Sequence, residues 1–138
     1  MKSKRIILDT NLWISFLISK NYTALDNLIK TNKVVLIFSN ELLEEFIEVV
    51  KRPKIKKYFA KKDVEELLDT FDQFADLINV TSQLDLCRDE KDNFLLNLSV
   101  DGNADYLVTG DKDLLILEKI KKTKILTYRE FIEVIKLD

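Results

Sequence analysis

The chain reads as an α/β domain built on a mainly parallel sheet with helices on both faces. Three observations predict this. Short apolar runs rich in Ile, Val and Leu do not alternate with polar residues, the pattern of strands covered on both sides. Segments with helical spacing lie between them, so strands and helices alternate along the chain. The 138 residues are 46% hydrophobic and 33% charged. That is enough apolar material for one core, and no repeat, linker or low-complexity tract divides it, so residues 1–138 are expected to form a single domain.

Lys4 to Asp9, KRIILD, is a β-branched run ending in an acid and predicts the first strand. Asn11 to Leu17 and Tyr22 to Lys30 predict helices, the second with Leu25, Leu28 and Ile29 at helical spacing. VVLIF, Val34 to Phe38, is the second strand. Ser39 follows as an N-cap, and the next helix sets Leu42, Leu43, Phe46, Ile47 and Val50 on one face. Pro53 stops or restarts that helix.

Asp63 with Glu66 three residues on resembles a capping box. The helix it opens carries a long apolar stripe: Val64, Leu67, Leu68, Phe71, Phe74, Ala75 and Ile78. LINVT, Leu77 to Thr81, predicts the third strand. Asp89 caps a helix from Glu90 to Val100; YLVTG, Tyr106 to Gly110, is the fourth strand; Leu114 to Lys121 is a helix; KILT, Lys124 to Thr127, is the fifth strand. Tyr128 to Lys136 closes the chain as a helix.

Absences narrow the chemistry. With no histidine, histidine-ligated zinc, Ser-His-Asp and Cys-His catalysis are excluded. Two glycines, Gly102 and Gly110, are too few for a P-loop or a dinucleotide fingerprint. The lone Cys87 cannot form an internal disulfide, so a reducing cytoplasm is the expected setting. No run approaches the roughly 18 apolar residues of a membrane span, and the apolar stretch of MKSKRIILD is too short for a signal peptide.

Open parallel sheets place their sites beyond the carboxyl ends of the strands. Asp9 ends the first strand, and Asp111 and Asp113 follow the fourth. Each alone fits a turn or cap acid equally well. Asp92 shares a helix face with Leu95, Leu96 and Ser99, so it points as a core residue points, although an acid also suits a first turn. In the helix after Ser39, Glu41 and Glu48 lie opposite the apolar stripe. Glu45 lies about 40° from Val49 and Glu44 about 60° from Ile47, which leaves the choice between them open. Converging carboxylates raise one another's pKa or are neutralised by a cation, and an all-oxygen donor set suits Mg²⁺ or Mn²⁺ and phosphoryl chemistry.

With IILDTNLWISFL, FSNELLEEFIEVVKRPK, CRDEKDNFLLNLSVDGNADYLVTGDKDLL and ILTYREFIEVI in this order, the chain resembles the PIN-domain family. In particular it resembles the small single-domain VapC-like ribonucleases that act as toxins of toxin–antitoxin pairs. The resemblance implies an α/β/α sandwich with a five-stranded sheet in the order 3-2-1-4-5. It implies a quartet of metal-binding acids, Asp9, Glu45, Asp92 and Asp111, with Asp113 as an accessory, and so selects Glu45 over Glu44. Asn11, Ser39 and Thr109 match the polar positions that orient these acids. Where this subgroup often reads Asp-Pro-Asp-Asp, the chain reads Asp89-Glu90-Lys91-Asp92.

The activity so implied is Mg²⁺- or Mn²⁺-dependent hydrolysis of RNA phosphodiesters. Asp9, Asp92 and Asp111 hold the metal, and Glu45 binds or orients the attacking water or a second metal. A cognate antitoxin is the expected partner. Dimerisation is the second expectation, and the Val64–Ile78 stripe offers either an interface or simple core packing. The rivals are another metal-dependent phosphohydrolase and a non-catalytic binding module on the same scaffold.

Net charge is -2, of which four site acids supply -4, leaving +2 elsewhere. The charge is segregated. Lys51 to Lys62 holds seven bases in twelve residues, and Asp63 to Asp76 six acids and no base. Lys54, Lys56, Lys57, Lys61 and Lys62 fit either a solvated surface or a track for an RNA backbone, with Tyr58 or Phe59 stacking an unpaired base.

Overall fold

The computed structural model describes residues 3–19, 23–58 and 60–137. Tyr22, the expected start of the second helix, and Phe59, offered as a stacking residue, lie outside them, as does the side chain of Phe74 on the expected apolar stripe. The order is β1 (Lys4–Leu8), α1 (Thr10–Ser19), α2 (Thr23–Lys30), β2 (Val34–Phe38), α3 (Asn40–Val50), α4 (Pro53–Lys56), α5 (Lys61–Phe74) and β3 (Ala75–Leu77). Then come α6 (Glu90–Asp101), β4 (Tyr106–Val108), α7 (Lys112–Leu115), β5 (Lys119–Ile120), β6 (Thr123–Leu126) and α8 (Tyr128–Leu137).

The sheet order is β3-β2-β1-β4-β6-β5. Its first five strands pair in parallel, with Ile6 opposite Leu36 on one side of β1 and Leu8 opposite Val108 on the other. The expected 3-2-1-4-5 order is therefore present, β6 being the strand expected fifth. The sixth strand, β5, runs antiparallel to β6. It falls where the sequence predicts the end of a helix. That helix stops at Leu115, and Glu118 and Lys121 take positive φ angles of 62° and 51°, which turn the chain back on itself.

Two other boundaries differ from expectation. Helix α5 begins at Lys61, so Asp63 is not its N-cap; it sits in the first turn, and its carboxylate accepts the Ala60 N–H at 3.2 Å. Strand β3 covers Ala75–Leu77 rather than Leu77–Thr81. Past Ile78, whose N–H still reaches the Phe38 carbonyl at 2.7 Å, the extended chain bonds to helix side chains instead of a strand. Asp101 accepts the N–H groups of Thr81 and Ser82, Asn97 that of Leu84, and Asn93 those of Leu86 and Cys87. Asn93, Asn97 and Asp101 recur every four residues on one face of α6 and act as a ladder for this segment.

β1 explains why the sheet centre is apolar on both faces: Ile6, Ile7 and Leu8 are all buried, as are Leu107 and Val108 beside them. Near the carboxyl end of β2, Trp13 of α1, Phe38, Phe46 of α3 and Phe71 of α5 form an aromatic cluster, Trp13 and Phe71 meeting at 4.8 Å between ring centroids. The cluster locks α1, α3 and α5 onto the sheet, and with them the orientation of the α3 acids. On the α5 stripe Leu67 and Phe71 are buried, Val64 and Leu68 half-buried.

Candidate functional site

β1 lies at the centre of the sheet, with β2 on one side and β4 on the other, so successive crossovers leave in opposite directions from it. A crevice opens at that point, beyond the carboxyl ends of β1 and β4. Its cavity of about 440 Å³ is lined by Asp9, Thr10 and Asn11 after β1, by Glu41, Leu42 and Glu45 of α3, by Asp89 through Asp92 with Phe94 and Leu95 around α6, and by Asp111 after β4. Asp9, Glu45, Asp92 and Asp111, more than 100 residues apart at the extremes, thus share one pocket.

The two strand-end acids are coupled through Thr109. Its buried hydroxyl donates to Asp9 Oδ2 at 2.9 Å and accepts the Asp111 N–H at 3.0 Å. The Asp9 N–H in turn reaches the Val108 carbonyl at 3.0 Å. Asn11 contacts Asp9 through its backbone N–H, 3.2 Å from Oδ1, rather than through its side chain. Asp111 caps α7, accepting the Asp113 N–H at 2.8 Å. This fold-back brings Asp113 beside Asp111.

Carboxylate oxygens of Asp92, Asp111 and Asp113 lie within 4.8 Å of one another, the one such group of three among the described residues. Asp92 is buried, 5% exposed, and its Oδ2 has no hydrogen-bond partner. Burial first, and then the Asp111 charge, push its pKa up to about 7. Asp113 is at the rim, where Arg88 pairs with it at 3.2 Å.

Ser39 is fully buried and caps α3, accepting the Leu42 N–H at 3.0 Å, so it sets the helix that carries Glu45 rather than touching an acid directly. On that helix Glu45 is half-buried and lines the pocket, while Glu44 is exposed and does not. Asp89 caps α6, accepting the Lys91 N–H at 2.9 Å.

Some lining residues are not singled out by sequence reasoning. Glu41 is exposed as its helical phase requires, yet it reaches the rim because the first turn of α3 opens there. Glu90 and Lys91 come with the first turn of α6, and Lys91 Nζ lies 3.6 Å from Glu45 Oε1 across the pocket. Asn93, which fixes the segment leading into Asp89, has a sequence signal only in its four-residue spacing from Asn97 and Asp101. The basic lysines are elsewhere: Lys54, Lys56, Lys57, Lys61 and Lys62 follow α3 and none lines the pocket. Lys61 and Lys62 pair along α5 with Glu65 and Glu66, and Lys57 stands 5.2 Å above the Tyr58 ring.

A family model described as PIN domain matches residues 5–113. The uncharacterized protein MJ1680 of Methanocaldococcus jannaschii is 32% identical over 94% of this chain and 90% of its own length. The crystal structure of PAE2754 from Pyrobaculum aerophilum superposes with a TM-score of 0.57, covering 98% of this chain and 91% of that one at 13% identity, a likeness of fold alone.

Proposed function

We propose, from the premise that this chain belongs to the PIN-domain family, that it is a Mg²⁺- or Mn²⁺-dependent endoribonuclease and the toxin of a toxin–antitoxin pair. PIN domains are generally nucleases, and the acid cluster is compatible with metal binding. The observation that carries the reading is Asp92: a buried carboxylate oxygen without a hydrogen-bond partner, beside two further carboxylates. Such a group is costly unless a cation or proton neutralises it. The donors are all oxygen, which fits a hard divalent cation.

In this reading Asp9, Asp92 and Asp111, which line one pocket, would hold the ion, with Asp113 beside Asp111 as an accessory. When bound, it supplies Lewis-acid stabilisation to charge developing on a phosphodiester. The chain's own groups do the rest. Thr109 holds Asp9 in place, the α7 cap fixes the Asp111 rotamer, and Glu45 on the opposite wall orients the attacking water by accepting its hydrogen bond. RNA is the substrate, and the Lys54–Lys62 segment tracks its backbone.

Residues 1–138 act as one catalytic domain in the cytoplasm. No helix among the described residues is long and apolar enough to cross a membrane. A cognate antitoxin restrains the activity. Dimerisation is the second expectation, through the part of the Val64–Ile78 segment left uncovered, where half-buried Leu68 and exposed Leu77 line a groove.

The test is cleavage of an unstructured RNA in Mg²⁺. Asp92→Asn and Asp111→Asn, which keep size but remove a site charge, should each lose about 10²-fold or more in rate, and chelator should abolish cleavage by the unmodified chain. Undiminished cleavage in chelator or by both variants rejects the reading. RNA binding without cleavage by the unmodified chain points instead to a non-catalytic module.

A further inference from the structure

The pocket wall is strongly acidic, and Lys91 is the one base among the described residues that line it. It stands in the first turn of α6, beside Asp92, and its ammonium reaches across to Glu45 of α3 at 3.6 Å. Glu45 is separate from the three-aspartate group, whose ligand oxygens cluster without it. The site therefore has two cation positions of unlike kind. One is a set of three carboxylates with a buried, unpartnered oxygen; the other is Glu45, paired with a tethered ammonium.

We propose that Lys91 is a built-in counter-cation that occupies the second cation position at Glu45, so that the site takes one divalent ion rather than two. The proposal rests on the metal reading above. A second divalent ion beside Glu45 finds further oxygens in Glu41, one turn earlier on α3 and lining the same pocket, and in water, but it meets the resident positive charge of Lys91. The lysine is on the same chain and loses little freedom on pairing, so it does not need to be recruited from solution. Its three N–H donors also give Glu45 a partner that can turn toward a phosphate oxygen when RNA enters. Lys91 is thereby a positioning residue: it holds charge where a second ion otherwise sits, and it acts on the reaction through Glu45 and the substrate backbone.

The test is the binding of Mn²⁺ alone to the metal-free full chain, titrated to saturation and read from the electron paramagnetic resonance signal of the free ion. The unmodified chain should bind one Mn²⁺. Lys91→Gln, at a side chain 69% exposed, should fold unchanged and bind two. Adding Glu45→Gln to Lys91→Gln should return the count to one, and Lys91→Arg should keep it at one. Two ions on the unmodified chain, or one on Lys91→Gln, overturn the role of Lys91 and leave the metal reading intact. No binding by any form overturns both.

Discussion

Asp92 is pulled in two directions by its surroundings. Its burial and the nearby Asp111 charge favour the protonated form, and its pKa is raised to about 7; a metal ion favours the ionised form. In the metal-free protein the folded state therefore holds this proton more tightly than the unfolded chain, whose carboxyl titrates in the ordinary range near 4. The sign follows from linkage: this contribution favours folding at low pH and is lost as pH rises from about 4 through about 7. Thermal melts of metal-free protein from pH 5 to pH 8 should show Asp92 lowering the melting temperature as pH rises, by on the order of 5 °C. Asp92→Asn should flatten the change, and saturating Mg²⁺ should reverse it, because the ion binds the form that predominates at the higher pH. An equal slope in Asp92→Asn assigns the pH dependence to other groups.

At the scale of elements, what could be read in the sequence follows from period and position. Asp9 and Asp111 were legible because each directly follows a non-alternating apolar run, and a parallel sheet brings such ends together. Helix α3 was legible as an amphipathic face but not to one residue, since Glu44 and Glu45 flank the stripe almost symmetrically. The aromatic cluster fixes the rotation, leaving Glu44 in solvent and Glu45 on the pocket. Glu45→Gln should thus lower RNA cleavage by about 10²-fold, and Glu44→Gln should leave it within about 2-fold; comparable losses in both, measured as initial rates, would mean that Glu45 has no special part. Two things were not legible. The extended segment after β3 looks like a strand because its residues are strand formers, yet its partners are side chains of α6 that no propensity encodes. Strand β5 is two residues long and depends on non-glycine residues at positive φ, which local sequence does not announce.

Over the whole molecule the charge is divided rather than balanced. The pocket is acidic, and it alone would repel a polyanion, so the proposed activity on RNA requires positive charge outside it. The densest such charge is the Lys51–Lys62 segment, which follows the helix carrying Glu45 and includes Tyr58, 52% exposed with Lys57 above its ring. Lys61 and Lys62 already pair with acids of α5, at 4.0 and 3.9 Å. Exposed pairs of this length are weak and yield to a phosphate, but they make these two lysines poorer contacts than Lys56 and Lys57. Single-stranded binding weakens with salt by about 0.7 log units per log unit for each neutralised phosphate. Replacing Lys56 and Lys57 together by Gln should therefore lower the salt slope of RNA binding by about 1.4, without changing Mn²⁺ affinity, because neither lysine lines the pocket. Fluorescence anisotropy of a labelled single strand across a salt series, in an Asp92→Asn background expected to cleave it at least about 10²-fold more slowly, reads the slope directly. A slope equal to that of the unsubstituted background makes the segment ordinary solvated surface, and the RNA path must then cross another face.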